Sequence, residues 1–428
     1  MIGGDPMKTI WKYLISIISL MLVISLCSCG KQKTELIYWQ SISETDKVIL
    51  ANQMIDKFNK TNPDFKIKLN SYLADTELRD ALDNAFKSGK LPDMISISNS
   101  NSSASKFISQ DRVVCLDDFI KEDNSFKKES IYSGLFGQGM YEGKLYSLPF
   151  RADCLAVYFH KSHFADSGID PTSIKTWNDL TLAAKKLSKE GRFGIMLPAG
   201  ILELSATLWQ NFFLEAGGEF FAPNSKNLDF NSKEGIETLQ YWKMLVDNKS
   251  AIPSDTNSQV NMDDFISGKV SMWIDRAWNL TKDGIKENED IGVFPIPAGK
   301  KRVTFAEGER IYIFKTTADR QKAAWEFAKF VTSADFQTEW SMNTFNLPVC
   351  TTALSDKGYQ EFLSKNPNLK VFVDSMEYAA GRPYIQNYSQ ISNLLGSNIM
   401  DVLIGKIDVK VALDKVVEKS KIIIEGAQ

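Results

Sequence analysis

The sequence predicts an α/β fold of two lobes, and three observations carry that expectation. Beyond residue 34, apolar positions alternate between the period of two that marks a strand and the period near 3.6 that marks a helix. The chain has 428 residues, more than one hydrophobic core usually fills. With 43% hydrophobic and 24% charged residues it can bury such cores, which excludes a disordered or fibrous chain.

Residues 1–28 read as an export signal and not as part of the fold. Lys8 and Lys12 precede an almost wholly apolar run, Leu14 to Leu26, which ends at Cys27-Ser28-Cys29-Gly30. A basic start, a short apolar run and a small residue before the cut form a secretory signal, and the run falls short of the roughly 20 residues that span a bilayer. An uncleaved anchor helix is the other reading of this segment. Met7 is an alternative start, because Met1 to Pro6 adds nothing to the signal. Leu26-Cys27-Ser28-Cys29 resembles the lipobox of bacterial lipoproteins, with Cys27 a departure at the middle position. The resemblance implies cleavage before Cys29, diacylation of Cys29, and a linker over residues 29–34 from a membrane surface.

The elements then follow in order. Glu35 to Trp39 is a short β-type run, and Val48, Ala51, Ile55 and Phe58 at spacings of three and four mark a helix that Asn62-Pro63-Asp64 ends. Phe65, Ile67 and Leu69 alternate as a strand; Leu78, Ala81, Leu82 and Ala85 form a second helical stripe; Met94 to Ile97 is a third strand. This alternation is that of a parallel sheet covered by helices. Ligands of such sheets sit beyond the carboxyl ends of the strands, which singles out Gln40 to Ser43, Tyr72 and Asn99 to Ser102. A new block opens at Leu148-Pro149, with a strand over Leu155 to Lys161. Thr176-Trp177-Asn178-Asp179 has capping-box spacing before the stripe Leu180, Ala183, Ala184 and Leu187. Further helices carry Ile236, Leu239 and Trp242, then Ala323, Ala324, Phe327 and Val331, then Phe336 and Trp340, with a strand near Val270 to Ile274.

Charge and reactive residues exclude several functions. Lys+Arg 50 against Asp+Glu 53 gives a net charge of -3, so nothing favours nucleic acid. There are two histidines, His160 and His163, too few for a common zinc site, and no metal or cofactor is expected. Once Cys27 is removed and Cys29 lipidated, Cys115, Cys154 and Cys350 remain, an odd count without C-x-x-C spacing, so at most one disulfide can form. No phosphate loop, nucleophile elbow or H-E-x-x-H helix occurs.

Several segments in fixed order resemble the family 1 extracellular solute-binding proteins of ABC importers, the maltose-binding protein family. They are ELIYWQ from Glu35, LPDMI from Leu91, EGKLYSLPF over Glu142 to Phe150, LAVYFHK, TWNDL, EAGGEFF, FISGKVSMWIDRAW over Phe265 to Trp278, GVFPIPAG from Gly292 and AAWEFAKFV from Ala323. His160 stands where that family usually has asparagine. The resemblance implies a periplasmic-binding-protein-like fold with a hinge and a central ligand cleft. It places one lobe at 35–150 and 304–346, the other at 151–303 and 347–428, and chain crossings near Arg151 to Cys154, Thr304 to Glu309 and Leu347 to Cys350. With both at crossings, Cys154 and Cys350 could pair, or remain buried free thiols. ATP hydrolysis would lie on another subunit, and the partners implied are permease subunits, with this chain a monomer.

Sugars need aromatic planes for their apolar faces and charged or amide side chains for their hydroxyls. The resemblance puts a stacking tryptophan at Trp278 and a hydroxyl acceptor at Asp153, where maltose binders carry glutamate; Arg151 could bond the ligand or neutralise Asp153. Asn99 and Asn101 replace a charged pair of the maltose binder, which argues against maltose itself. Gln40, Ser43 and Tyr72 follow strands; Trp209 matches a family aromatic; Asp275, Glu307 and Arg310 are further candidates, as are Arg382 and Tyr384 in GRPYIQNY. Turn chemistry, core packing and surface ion pairs are the structural alternatives for these residues. The leading expectation is a lipid-anchored protein on the outer face of the cell membrane that captures a carbohydrate, an oligosaccharide, for an ABC permease. The alternatives are a binder of a polyol or glycerol phosphate ester, gripped by Arg151, Arg310 or Arg382, an exported carbohydrate-active enzyme using Asp153 and Glu307, or an adhesive or sensory lipoprotein.

Overall fold

The computed structural model describes residues 33–98, 107–201, 203–255 and 258–426. The first elements are those the periodicity gives: β1 (Thr34–Ser41), a helix Thr45–Thr61, β2 (Phe65–Tyr72), a helix Asp75–Ser88 and β3 (Met94–Ser98). β1 pairs in parallel with β2 on one edge and β3 on the other. Helix Thr45–Thr61 buries Ala51, Ile55 and Phe58 of the predicted stripe, with Val48 half-buried, and adds Leu50 and Met54 to the buried face. Helix Asp75–Ser88 ends on Gly89, whose left-handed φ of 71° lets its N–H reach the carbonyls of Ala85 and Phe86.

A short hairpin, β4 (Met140–Tyr141) and β5 (Lys144–Leu145), leads into the 14-residue β6 (Ser147–His160). The sequence places this strand only from Leu155. It begins at Ser147 because every residue from there to His160 except Arg151 is buried, so no polar alternation betrays its first half. Along the strand Leu155, Val157 and Phe159 enter one apolar cluster while Cys154, Ala156 and Tyr158 enter the cluster on the opposite face.

The remaining strands are β7 (Phe193–Pro198), β8 (Ala251–Ser254), β9 (Val270–Arg276), β10 (Ile291–Pro295), β11 (Thr304–Ile313) and β12 (Ala379–Ala380). The sheet runs β2-β1-β3-β11-β6-β9-β7-β8, with β10 added to β6 and β12 to β11. β6 changes partners midway: residues from Ser147 to Cys154 pair antiparallel with β11, whereas Leu155 to Phe159 pair with β9 and Ala156 to His160 with β10. β11 in turn joins β6 to β3. The register between β6 and β11 shifts between Glu309 and Arg310, opposite Pro149, a residue with no N–H to give the ladder. A third segment touches the same place through the bridge Ala152↔Leu347.

Both faces of each half of the sheet are covered. Tyr38, Phe58, Trp325, Phe327 and Trp340 pack on one face of the β1–β3 half, and Leu78, Leu82, Ile95 and Phe107 on the other. The second half is covered by Trp209, Phe212, Leu239, Trp242 and Ile391 on one side and by Phe265, Trp273 and Phe372 on the other. The capping box at Thr176 forms: its hydroxyl accepts the Asp179 N–H, and the Asp179 carboxylate accepts the Thr176 N–H at 2.9 Å. Cys154 and Cys350 are free thiols buried in one apolar cluster, so the disulfide between them is not made. His160 bonds Asp290 and the Phe265 carbonyl, and His163 bonds Ser271; no group of metal-ligating side chains occurs among the described residues.

β6 and β11 approach so closely at their centre that a Cβ on Gly308 would stand 1.8 Å from the Arg151 carbonyl oxygen. Gly308→Val is therefore expected to lower stability by about 1–3 kcal/mol, the usual cost of overpacking. Urea unfolding would register it as a fallen midpoint at unchanged slope, and an unmoved midpoint would mean that the crossing strands separate freely.

Candidate ligand cleft

Where β6 crosses β11, the period of two dictates which side chains meet. Arg151 and Asp153 project from one face of β6, and their register partners Glu309 and Glu307 project from the same face of β11. Four charges thus crowd one patch, and the surrounding elements supply what neutralises them. Arg151 Nη2 donates to Glu309 Oε1 at 2.6 Å, and Gln40 Nε2, from the end of β1, donates to Glu309 Oε2 at 3.0 Å. Tyr38 Oη lies 3.1 Å from Gln40 Oε1 and 2.7 Å from Ser96 Oγ, which locks the Gln40 amide in place.

Glu307 is held from the other side. Arg276 Nη2, at the end of β9, donates to Glu307 Oε2 at 3.3 Å. Arg382 Nη2 stands 2.7 Å from Glu307 Oε1 as an ion pair without hydrogen-bond alignment, and its Nη1 donates to Glu203 Oε1 at 3.4 Å. Ser392 Oγ donates to Glu203 Oε2 at 2.6 Å, and the Arg382 guanidinium lies 3.3 Å from the Tyr388 ring centroid. Burial raises the Glu203 carboxyl, Arg382 pulls it down, and Glu307 pushes it up again. Arg382, only 4% exposed, is a strut that ties two carboxylates together beneath the cleft surface.

Asp153 is 7% exposed, and its carboxylate accepts the N–H groups of Ala277 at 2.8 Å, Cys154 at 3.0 Å and Trp278 at 3.4 Å. Burial pushes this carboxyl up to about 7 against the opposing pull of the Ala277 N–H, Arg276 and Arg151. Asp275 is also buried; it accepts the Arg276 N–H at 2.7 Å, and burial raises it to about 6.

A cavity of about 290 Å³ opens beside this patch, lined in part by Gln40, Ser43, Glu44, Lys47, Arg151 and Glu309, with Leu73 and Trp340 as apolar wall. Glu44 pairs with Lys47 at 2.7 Å and with Lys282 at 3.6 Å. The Lys282 ammonium lies 5.1 Å from the Trp278 ring centroid. Trp278 is half-buried and belongs to none of the apolar clusters of the described residues, and Lys282 links its ring to Glu44 on the cavity wall.

The structure brings together Gln40, Ser43, Arg151, Asp153, Asp275, Trp278, Glu307 and Arg382. It removes two candidates. Trp209 is 0% exposed and stacks on Phe213 at 5.2 Å, because helix Glu203–Glu215 is buried almost all round; it is a core residue. Arg310 is 1% exposed and donates to the carbonyls of Leu135 and Ser147 and to Ser147 Oγ, since the period of two along β11 puts it on the face opposite Glu307 and Glu309. Tyr72 packs edge-on against Trp39 at 5.4 Å, apart from the cavity lining. Tyr384 meets Tyr141 edge-to-face at 5.1 Å, with its buried hydroxyl unpartnered among the described residues. Asn99, Asn101 and Cys29 lie outside the described residues. Sequence reasoning missed Glu309, Arg276, Glu203, Glu44 and Lys282; only Glu309 left a signal, the E-G-E spacing that puts it on one face with Glu307.

Known proteins supply the remaining evidence. A family model for bacterial extracellular solute-binding proteins matches residues 43–338. The sn-glycerol-3-phosphate-binding periplasmic protein UgpB of Brucella abortus (strain 2308) is 23% identical over 435 residues, covering 96% of this chain and 98% of that protein. The cyclic alpha-maltosyl-1,6-maltose binding protein of Arthrobacter globiformis superposes with a TM-score of 0.81 at 23% identity, over 92% of this chain and 100% of that one. UgpB of Mycobacterium tuberculosis, solved with glycerophosphocholine, superposes with a TM-score of 0.75 at 17% identity, over 92% of this chain and 100% of that one. These neighbours share the two-lobed fold, and the family model's match over most of the chain completes the inference: the chain belongs to the bacterial extracellular solute-binding protein family.

Proposed function

We propose that the chain captures a carbohydrate, an oligosaccharide, in the cleft beside the β6–β11 crossing and delivers it to an ABC permease. The observation that carries this choice is the charge pairing around the cavity. Arg151 is held by Glu309, Arg276 and Arg382 by Glu307, and Lys47 and Lys282 by Glu44. A phosphate would have to break one of these pairs and then face its carboxylate. A neutral polyhydroxy ligand instead uses the unfilled lone pairs and N–H groups of side chains already fixed, with Trp278 as its apolar plane.

The curated relatives, named for sn-glycerol 3-phosphate, favour a second reading, a glycerol phosphate ester or polyol as ligand. That reading needs Arg151 or Arg382 to exchange an internal carboxylate for the ligand. The lobes are taken as 35–150 with 304–346 and 151–303 with 347–428; near the first bound, β6 passes from β11 to β9 between Cys154 and Leu155. Closure of one on the other is the ligand preferring the shut state. The protein is read as a monomer held on the outer membrane face through lipid on Cys29; no described helix is long and apolar enough to cross a membrane.

A thermal-shift panel of oligosaccharides, polyols, sn-glycerol 3-phosphate and glycerophosphocholine separates the two readings, because a ligand of the native state stabilises it by RT ln(1 + [L]/Kd). The expected result is stabilisation by one class of saccharide alone; a shift confined to the phosphate esters would transfer the assignment to them. With the responding saccharide, Trp278→Ala is expected to cost about 2 kcal/mol of binding while the melting temperature without ligand holds. A lowered melting temperature at full affinity would return Trp278 to the core. Cys29→Ser is expected to release the protein from membranes at unchanged affinity, and continued retention in the membrane fraction would defeat the lipid assignment.

A further inference from the structure

We propose that Asp153 is a positioning residue, whose carboxylate fixes the turn that carries Trp278 and does not itself bond the cleft's occupant. The inference rests on the reading of Trp278 as the stacking plane of the cleft. Ala277–Thr281 forms a single 3-10 turn directly after β9, and Arg276, the residue before it, gives it no side-chain cap. The first N–H groups of such a turn have no partner within it. Asp153 supplies one from a different strand, accepting Ala277 N–H at 2.8 Å on Oδ1 and Trp278 N–H at 3.4 Å on Oδ2.

The same Oδ1 also takes the Cys154 N–H at 3.0 Å. A carboxylate has about four acceptor positions, so three are engaged by backbone and little is left for a ligand hydroxyl. Asp153 lies opposite Glu307 in the β6–β11 register, which refers the Trp278 turn to the crossing and not to β9 alone. Beyond the turn, the indole stands 5.1 Å from Lys282 Nζ, and Lys282 reaches Glu44 on the cavity wall at 3.6 Å. A displaced turn therefore moves the ring relative to the cavity, and of the apolar cores it touches only the cluster that holds Ala277 and Leu280.

Fluorine NMR of the full chain labelled with 5-fluorotryptophan tests this without a ligand. The nine tryptophans give separate resonances, and Trp278→Phe identifies the one from Trp278. Asp153→Ala is expected to move and broaden that resonance while those of Trp209 and Trp242, in the core cluster that holds no residue of the turn, stay in place. Asp153→Asn, which keeps an acceptor oxygen for the Ala277 N–H, is expected to restore it. An unmoved Trp278 resonance in Asp153→Ala overturns the proposal. If Asp153→Ala does not fold, Asp153→Glu decides: one added methylene must displace the Trp278 resonance, and an undisplaced one overturns the proposal.

Titration with maltotetraose adds the functional arm. Asp153→Ala is expected to weaken binding at least tenfold in the native background and by less than twofold in the Trp278→Ala background, because its effect runs through that ring. Equal losses in both backgrounds would mean direct bonding, overturning the proposal while leaving the stacking plane in place. Full affinity in Trp278→Ala would sink the stacking reading and take the proposal with it.

Discussion

The structure depends on the antiparallel pairing of β6 with β11 between Arg151 and Cys154. That register sets Arg151 and Asp153 against Glu309 and Glu307 on one face, largely out of water. Charges so placed are tolerated only when each finds a partner, since a lone buried charge costs several kcal/mol. The pairing therefore recruits the end of β1 through Gln40, the end of β9 through Arg276, the segment after β12 through Arg382, and the turn at Ala277 through its backbone. Elements distant in the sequence are drawn to one point by charge balance as much as by apolar packing. Gly308 is what lets the strands come close enough for this.

A patch satisfied in this way is already ordered before a solute arrives. Gln40, Arg151 and Glu309 hold one another, as do Glu203, Arg382 and Glu307, so a ligand in the proposed cleft would meet fixed donors and acceptors and need not freeze them. Such preorganisation improves affinity by lowering the entropy lost on binding. It also sets a preference in ligand charge, because each cation at the site already has a carboxylate beside it.

Much of the fold was legible in the sequence where apolar positions recur at a regular spacing or form a short run between helices. The β1–β3 unit and its helices follow from spacings of two and of three to four, and the Thr176 capping box follows from local chemistry. Illegibility began where burial is two-sided. The first half of β6 hides in a continuous buried run, and Trp209 sits on a helix buried almost all round, so a family aromatic and a core aromatic look alike there. The site was legible as residue types and illegible as pairs. Whether an arginine serves a ligand, a carboxylate or a carbonyl depends on which strand face it takes and on register, and β11 turns Arg310 to the face opposite Glu307 while Glu307 and Asp153 stand at the centre. The cap that Asp153 gives the Trp278 turn spans 124 residues of sequence, beyond the reach of any local pattern.

Of the three free thiols among the described residues, the two that are buried have a consequence of another kind. Cys154 and Cys350 lie in one apolar cluster at the crossing, and burial raises both above the ordinary thiol range, so neither supplies thiolate to a reagent while the fold is intact. Alkylation can reach them only when that cluster opens. The strand crossing thus carries its own clock: the rate at which these two sulfurs, followed apart from the half-buried Cys115, become alkylated measures how often the junction of the two sheet halves comes apart.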